Sequence, residues 1–142
     1  MIFSAPFITR DMPYDGVDVW EVVEAFLCWA ENGETYLVPQ GFVTDCASIP
    51  SLVWPAIGLH PRSPEIAQSA AMHDLFYRYQ PNGISRSRSD DLIVEGMVAL
   101  GASWWQRFAV RQGLRVGGWV AWNRYRKLNL QMPPVMSCVP AC

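Results

Sequence analysis

His73 and Asp74 are adjacent in the chain, a second carboxylate, Asp90, follows after a turn, and a third, Asp45, lies upstream. An imidazole held by a carboxylate is the pairing that lets a histidine take a proton from water. A neighbouring pair of carboxylates is the kind of donor set that holds a hard cation. Helix periodicity gives each residue a place. Side chains three, four and seven apart share a face, so Asp90 groups with Ile93, Val94, Met97 and Leu100 or Gly101 at the end of an apolar stripe. Asp91 instead groups with Glu95 and is expected to face solvent. An aspartate at the edge of a core is costly without a partner, and His73, in register with Ala70, Phe76 and Tyr77 on the preceding helix, is the available one. A His73–Asp90 hydrogen bond is therefore expected. Asp74 is rotated by about a quarter turn from His73, toward the loop that carries Asp45. Two carboxylates with a backbone carbonyl of that loop suit calcium better than zinc. A metal there would polarise an ester carbonyl while His73 deprotonates water. The competing reading is structural, with the histidine bonded to a neighbour and the aspartate in a surface ion pair.

The elements that must position these residues follow from local signals. Ser63-Pro64-Glu65 opens a helix, with Ser63 as its cap and Pro64 at its first position, and it runs to about Tyr79 before Pro81-Asn82-Gly83 stops it. Ser87 or Ser89 caps a second helix that continues to Gly101. A third begins near Ser103, with Gly117-Gly118 read as a break. Residues 17–38 read as β structure with a hairpin turn at Glu31-Asn32-Gly33-Glu34. The proline-rich stretch that follows reads as an ordered surface loop. The fold class is α+β in one domain: an N-terminal arm (1–16), a β-hairpin and loop (17–62), a mainly helical core (63–127) built on an antiparallel helix pair with a third, basic helix, and an extended Pro/Cys tail (128–142).

Composition bounds the rest. The chain has 142 residues, 51% of them apolar, enough for one core and too few to expect two. A transmembrane helix and a secretory signal are both unsupported, which places synthesis in a cytoplasm. The net charge of −2 hides an asymmetry. Residues 1–60 hold eight acids against Arg10, and no acid follows Glu95. Trp104, Trp105, Arg107, Arg111 and Arg115 begin a basic aromatic stretch suited to an anionic lipid surface, nucleic acid or an acidic protein face. The plainer expectation is that most of this stripe is core or core edge. Cys28, Cys46, Cys138 and Cys142 lack paired zinc-ribbon spacing, and Cys28 and Cys46 read as small buried hydrophobes. A histidine-rich metal phosphohydrolase would need ligands beyond His60, and a serine triad would need a nucleophile elbow that is absent.

The run from Val38 to Pro50 (VPQGFVTDCASIP), with His73-Asp74-Leu75-Phe76-Tyr77 and Ser87-Arg88-Ser89-Asp90, resembles a bacteriophage and prophage family known as domain of unknown function 1353. That resemblance implies a phage origin, among late genes for tail or lysis proteins, and supplies no reaction. A second similarity is to the helical core of small bacterial secreted phospholipases of the A2 type. It rests on His73-Asp74-x-x-Tyr77-Arg78, Ser87-Arg88-x-Asp90, Met97 and Ala109-Val110-Arg111. It implies that His73 is the general base, Asp90 its orienter, and Asp74 and Asp45 calcium ligands with the Cys46 carbonyl, while Tyr77 and Arg88 support the site. The secreted enzymes have a cysteine before the doublet and disulfides to their helices, where this chain has Ala70-Ala71-Met72. Two functions are thus expected to compete. One is a virion-associated, calcium-assisted ester hydrolase acting at the host envelope. The other is a tail or tail-attachment protein that keeps the fold and binds other virion proteins or further copies of itself.

Overall fold

The computed structural model describes residues 1–14, 17–45 and 53–131. It is an α+β fold of two small antiparallel sheets and four helices. Strands β1 (Ile2–Phe3), β4 (Phe26–Trp29) and β5 (Thr35–Val38) form one sheet in the order β1-β4-β5. Its β4–β5 hairpin pairs Phe26 with Val38 and Trp29 with Thr35 around the Asn-Gly turn expected from the sequence. Strands β2 (Thr9–Tyr14), β3 (Val17–Val22) and β6 (Val43–Thr44) form the other, in the order β2-β3-β6. The first arm of the hairpin expected over residues 17–38 is thus two strands, β3 and β4, that belong to different sheets. The N-terminal arm also supplies a strand to each sheet, because Thr9 to Tyr14 finds its partners in Val22 to Val17. Part of the expected loop is regular as well, since it contains β6 and the short helix α1 (Val53–Ile57). Cys46, its carbonyl and the tail from residue 132 lie outside the described residues.

Helix α2 (Ala67–Tyr79) is the centre of the molecule, with every residue from Ala67 to Tyr77 buried. A helix covered on all sides needs apolar neighbours all round. Met72, Leu75 and Phe76 pack against Val22, Phe26, Cys28 and Val38 from the two sheets and against Phe42, just before β6. On the opposite side, Ala70 and Ile66 meet Ile93 and Met97 of α3 (Arg86–Ala99) and Val110 and Leu114 of α4 (Trp104–Leu128). Each such large side chain taken fully out of water contributes about 1.5–3 kcal/mol. The small Cys28 is buried among them, and burial pushes its thiol up to about 12, so it is an inert apolar filler.

Helix ends show where local signals were spent differently. The Ser63 hydroxyl accepts the His60 amide at 2.9 Å, so α2 starts at Ala67 without a side-chain cap. Helix α3 is capped by Ser85, which accepts from the Arg88 amide, in place of Ser87 or Ser89. Helix α4 opens as expected after Ser103, which forms a reciprocal capping box with Gln106. It then runs unbroken through Gly117 and Gly118. Gly118 serves approach and not a break: a Cβ there would stand 2.5 Å from the Tyr77 hydroxyl oxygen.

Candidate functional site

Helices α2 and α3 meet at the expected pair. His73 is fully buried, and its Nε2 lies 3.1 Å from Asp90 Oδ1. A carboxylate only accepts, so Nε2–H donates and the tautomer follows. The Tyr77 hydroxyl donates to the same oxygen at 2.6 Å, and Arg86 Nη1 donates to Asp90 Oδ2 at 2.7 Å. Asp90, itself 7% exposed, therefore receives three donors and is held in a covered position. Burial, with Asp90 beside it, pushes the Tyr77 phenol up, so its proton stays on the hydroxyl and the bond keeps its direction. The Tyr77 ring lies 4.1 Å from the His73 ring, centroid to centroid, and meets Trp122 edge-on. With Nε2 committed, His73 Nδ1 is buried with no hydrogen-bond partner among the described residues.

The other half of the site lies one step round α2. Asp74 is fully buried and accepts from the Thr44 hydroxyl at 2.7 Å, which ties β6 to the helix. Arg78, one turn further along α2, places Nη2 at 3.1 Å from both Asp74 Oδ2 and Asp45 Oδ1. Its Nη1 donates to the Val43 carbonyl at 2.6 Å, and its guanidinium lies over the Phe42 ring. Asp74 and Asp45 thus converge as the sequence suggested, but around a guanidinium. Burial disfavours the charge on Arg78, yet Asp74, Tyr125 and Asp45 outweigh it and hold the group above its ordinary value. In this arrangement the pair does not fit a dication, because a fixed positive charge already touches both carboxylates. Among the described residues no group of three or more His, Cys, Asp or Glu side chains is placed to hold a metal.

Of the supporting residues, Tyr77 is in the site. Arg88 is not: it donates to Glu34 at 2.6 and 3.0 Å, across to the β4–β5 hairpin. Arg86 takes the place beside Asp90, and Arg78 the place beside Asp74. Both stand four residues from their carboxylate on one helix, the spacing that pairs opposite charges, and that signal was available in the sequence. Asp91 faces solvent as expected and pairs with Arg111 of α4. Glu95, grouped with it by periodicity, is instead mostly covered and accepts from the Glu31 amide beside the Met1 amino group.

Helix α4 differs most from the expectation of a core stripe. Its inward face is Val110, Leu114, Gly118 and Trp122. Trp104 is 70% exposed and Val116 77%, with Trp105, Phe108, Trp119 and Val120 also exposed. The outward face is therefore apolar and aromatic, flanked by arginines. No helix among the described residues is long and apolar enough to cross a membrane.

No curated protein and no solved structure matches the chain. A family model, "Protein of unknown function (DUF1353)", matches residues 20–111 of the 142, and the chain belongs to that family.

Proposed function

We propose that the chain is a phage-encoded ester hydrolase of the phospholipase type, carried with the virion and acting at the host cell envelope. His73 is the general base and Asp90 the group that orients it. The observation that carries this reading is the state of the imidazole. Nε2 is anchored to a carboxylate that two further donors immobilise, and Nδ1 has no partner among the described residues. An unmet buried polar atom costs about 1–3 kcal/mol, and such costs are retained where the atom has work to do. A bare Nδ1 on an oriented ring is the form that accepts a proton from water attacking an ester carbonyl. Because His73 is fully covered, reaction requires a local opening. Seating the exposed Trp104, Trp105 and Phe108 at a lipid surface supplies a setting for it, since aromatic side chains favour that interface.

The second reading, a tail or tail-attachment protein without turnover, draws on the same helix. An exposed aromatic face with Arg107, Arg111 and Arg115 and no acid suits an acidic protein neighbour as well as it suits lipid.

Release of fatty acid from anionic phospholipid vesicles by the purified chain and by His73→Gln separates the two, with a thermal melt of each. The hydrolase reading expects turnover that falls at least about 10²-fold in the variant while the melt shows a folded protein. Equal, background-level release by both folded proteins would remove the hydrolase reading and leave the structural one.

A further inference from the structure

We infer that Arg78 is the resident cation of the Asp45–Asp74 pair, so that this chain does without the calcium ion its residue set resembles a site for. The inference deepens the hydrolase reading, on which it rests, by naming the positive charge that holds the carboxylate adjacent in the chain to its base. Three observations carry it. One nitrogen, Nη2, reaches a carboxylate oxygen of each aspartate at the same 3.1 Å. The other terminal nitrogen is held at 2.6 Å by the Val43 carbonyl, and the guanidinium plane rests on Phe42 at 5.5 Å. Tyr125 of α4 also favours its charged form.

A guanidinium so held does not exchange for a dication without breaking contacts to β6 and to Phe42 together. It is also a cation that no accessible pH removes. Its role is the structural one a metal would have: it gathers the buried Asp74 and the half-buried Asp45 and ties the segment around β6 to α2. The position is a lock on the site's geometry. With both terminal nitrogens held by two carboxylates and a carbonyl, Arg78 is a positioning residue and not one that touches substrate.

The test uses the full chain and the metals alone, and needs no turnover, so its failure is distinguishable from failure of the hydrolase assay. Thermal melts are recorded with millimolar calcium and with chelator, alongside terbium emission sensitised by the protein's aromatic residues. Wild type is expected to melt at the same temperature in both conditions and to give no terbium emission that Asp74→Asn removes. Arg78→Met is expected to melt lower in chelator, to recover by several degrees in calcium, and to acquire Asp74-dependent terbium emission. Should Arg78→Met not fold in chelator, refolding it or Arg78→Gln in calcium serves the same end, and recovery there supports the inference. A calcium-dependent rise of several degrees in wild type, or Asp74-dependent terbium emission from it, overturns the inference. So does an Arg78 variant that gains no response to either metal.

Discussion

Asp90→Ala is expected to lower the stability of the fold by about 3–5 kcal/mol, the cost of removing one member of a buried charged network. That is a large share of the roughly 5–15 kcal/mol that holds a domain of this kind together. The reason is what stays behind. The Tyr77 hydroxyl, the His73 Nε2–H and one Arg86 nitrogen all donate to this carboxylate. Truncation leaves the two buried donors on His73 and Tyr77 unmet and an arginine at the core edge without its counter-charge. A melting temperature lower by about 10 °C is the corresponding reading. Asp91→Ala, one residue on, is the internal control. Its carboxylate is 47% exposed and pairs with the similarly exposed Arg111, so the loss is held to about 0–1 kcal/mol. Equal effects at the two positions would mean that Asp90 is not the hub of the network.

The second large effect is at Gly118 and is read best in combination. Alanine in the middle of α4 gains roughly 1 kcal/mol of helix propensity. Here its methyl would stand 2.5 Å from the Tyr77 oxygen and 3.5 Å from Arg86 Nη1. The tyrosine ring cannot yield cheaply, because it lies between His73 and Trp122 and its hydroxyl is bonded to Asp90. Overpacking of this kind costs about 1–3 kcal/mol, so Gly118→Ala is expected to destabilise despite the better helix former. Tyr77→Phe alone gives up a hydrogen bond to a charged group, about 1.5–3 kcal/mol. It also removes the atom with which the new methyl collides. In the Tyr77→Phe background, Gly118→Ala is expected to be neutral or stabilising, a coupling that a double-mutant cycle by denaturant unfolding measures directly. Additive effects would show that α4 does not press on the site through this contact.

What was legible in the chain was what a single helix face or a single turn decides. His73 meets Asp90 because periodicity put the aspartate at the end of an apolar stripe and burial demanded a donor. Asp91 was separable from it by the same rule. The β4–β5 hairpin was legible in Asn32-Gly33, and the start of α4 in Ser103 with Gln106 three residues on. What was not legible needed partners distant in sequence. Thr9–Tyr14 becomes a strand only because Val17–Val22 is there to receive it, and β3 and β4 part into two sheets through tertiary packing. Gly118 reads as a helix breaker until Tyr77 is placed against it. Ser63 reads as a cap until His60 claims its hydroxyl. Helix α4 carries apolar residues on two faces, and periodicity cannot say which one is covered. Val110, Leu114, Gly118 and Trp122 pack inward, while the tryptophans at 104, 105 and 119 look out. Arg78 was visible beside the doublet, but its bond to Asp45 depends on β6 bringing that residue across.

One nitrogen separates an oriented base from a histidine that merely fills the core. The measurement that addresses it most directly is a long-range proton–nitrogen NMR spectrum of the imidazole rings at pH about 8, above the ordinary histidine range. The chain has two histidines, so His60→Gln assigns the His73 signals. The expected result is a proton on Nε2, donated to Asp90, and a bare Nδ1 with the shift of an unprotonated ring nitrogen. A proton on Nδ1, with Nε2 bare against Asp90, would contradict the assignment of His73 as the base and with it the proposed chemistry.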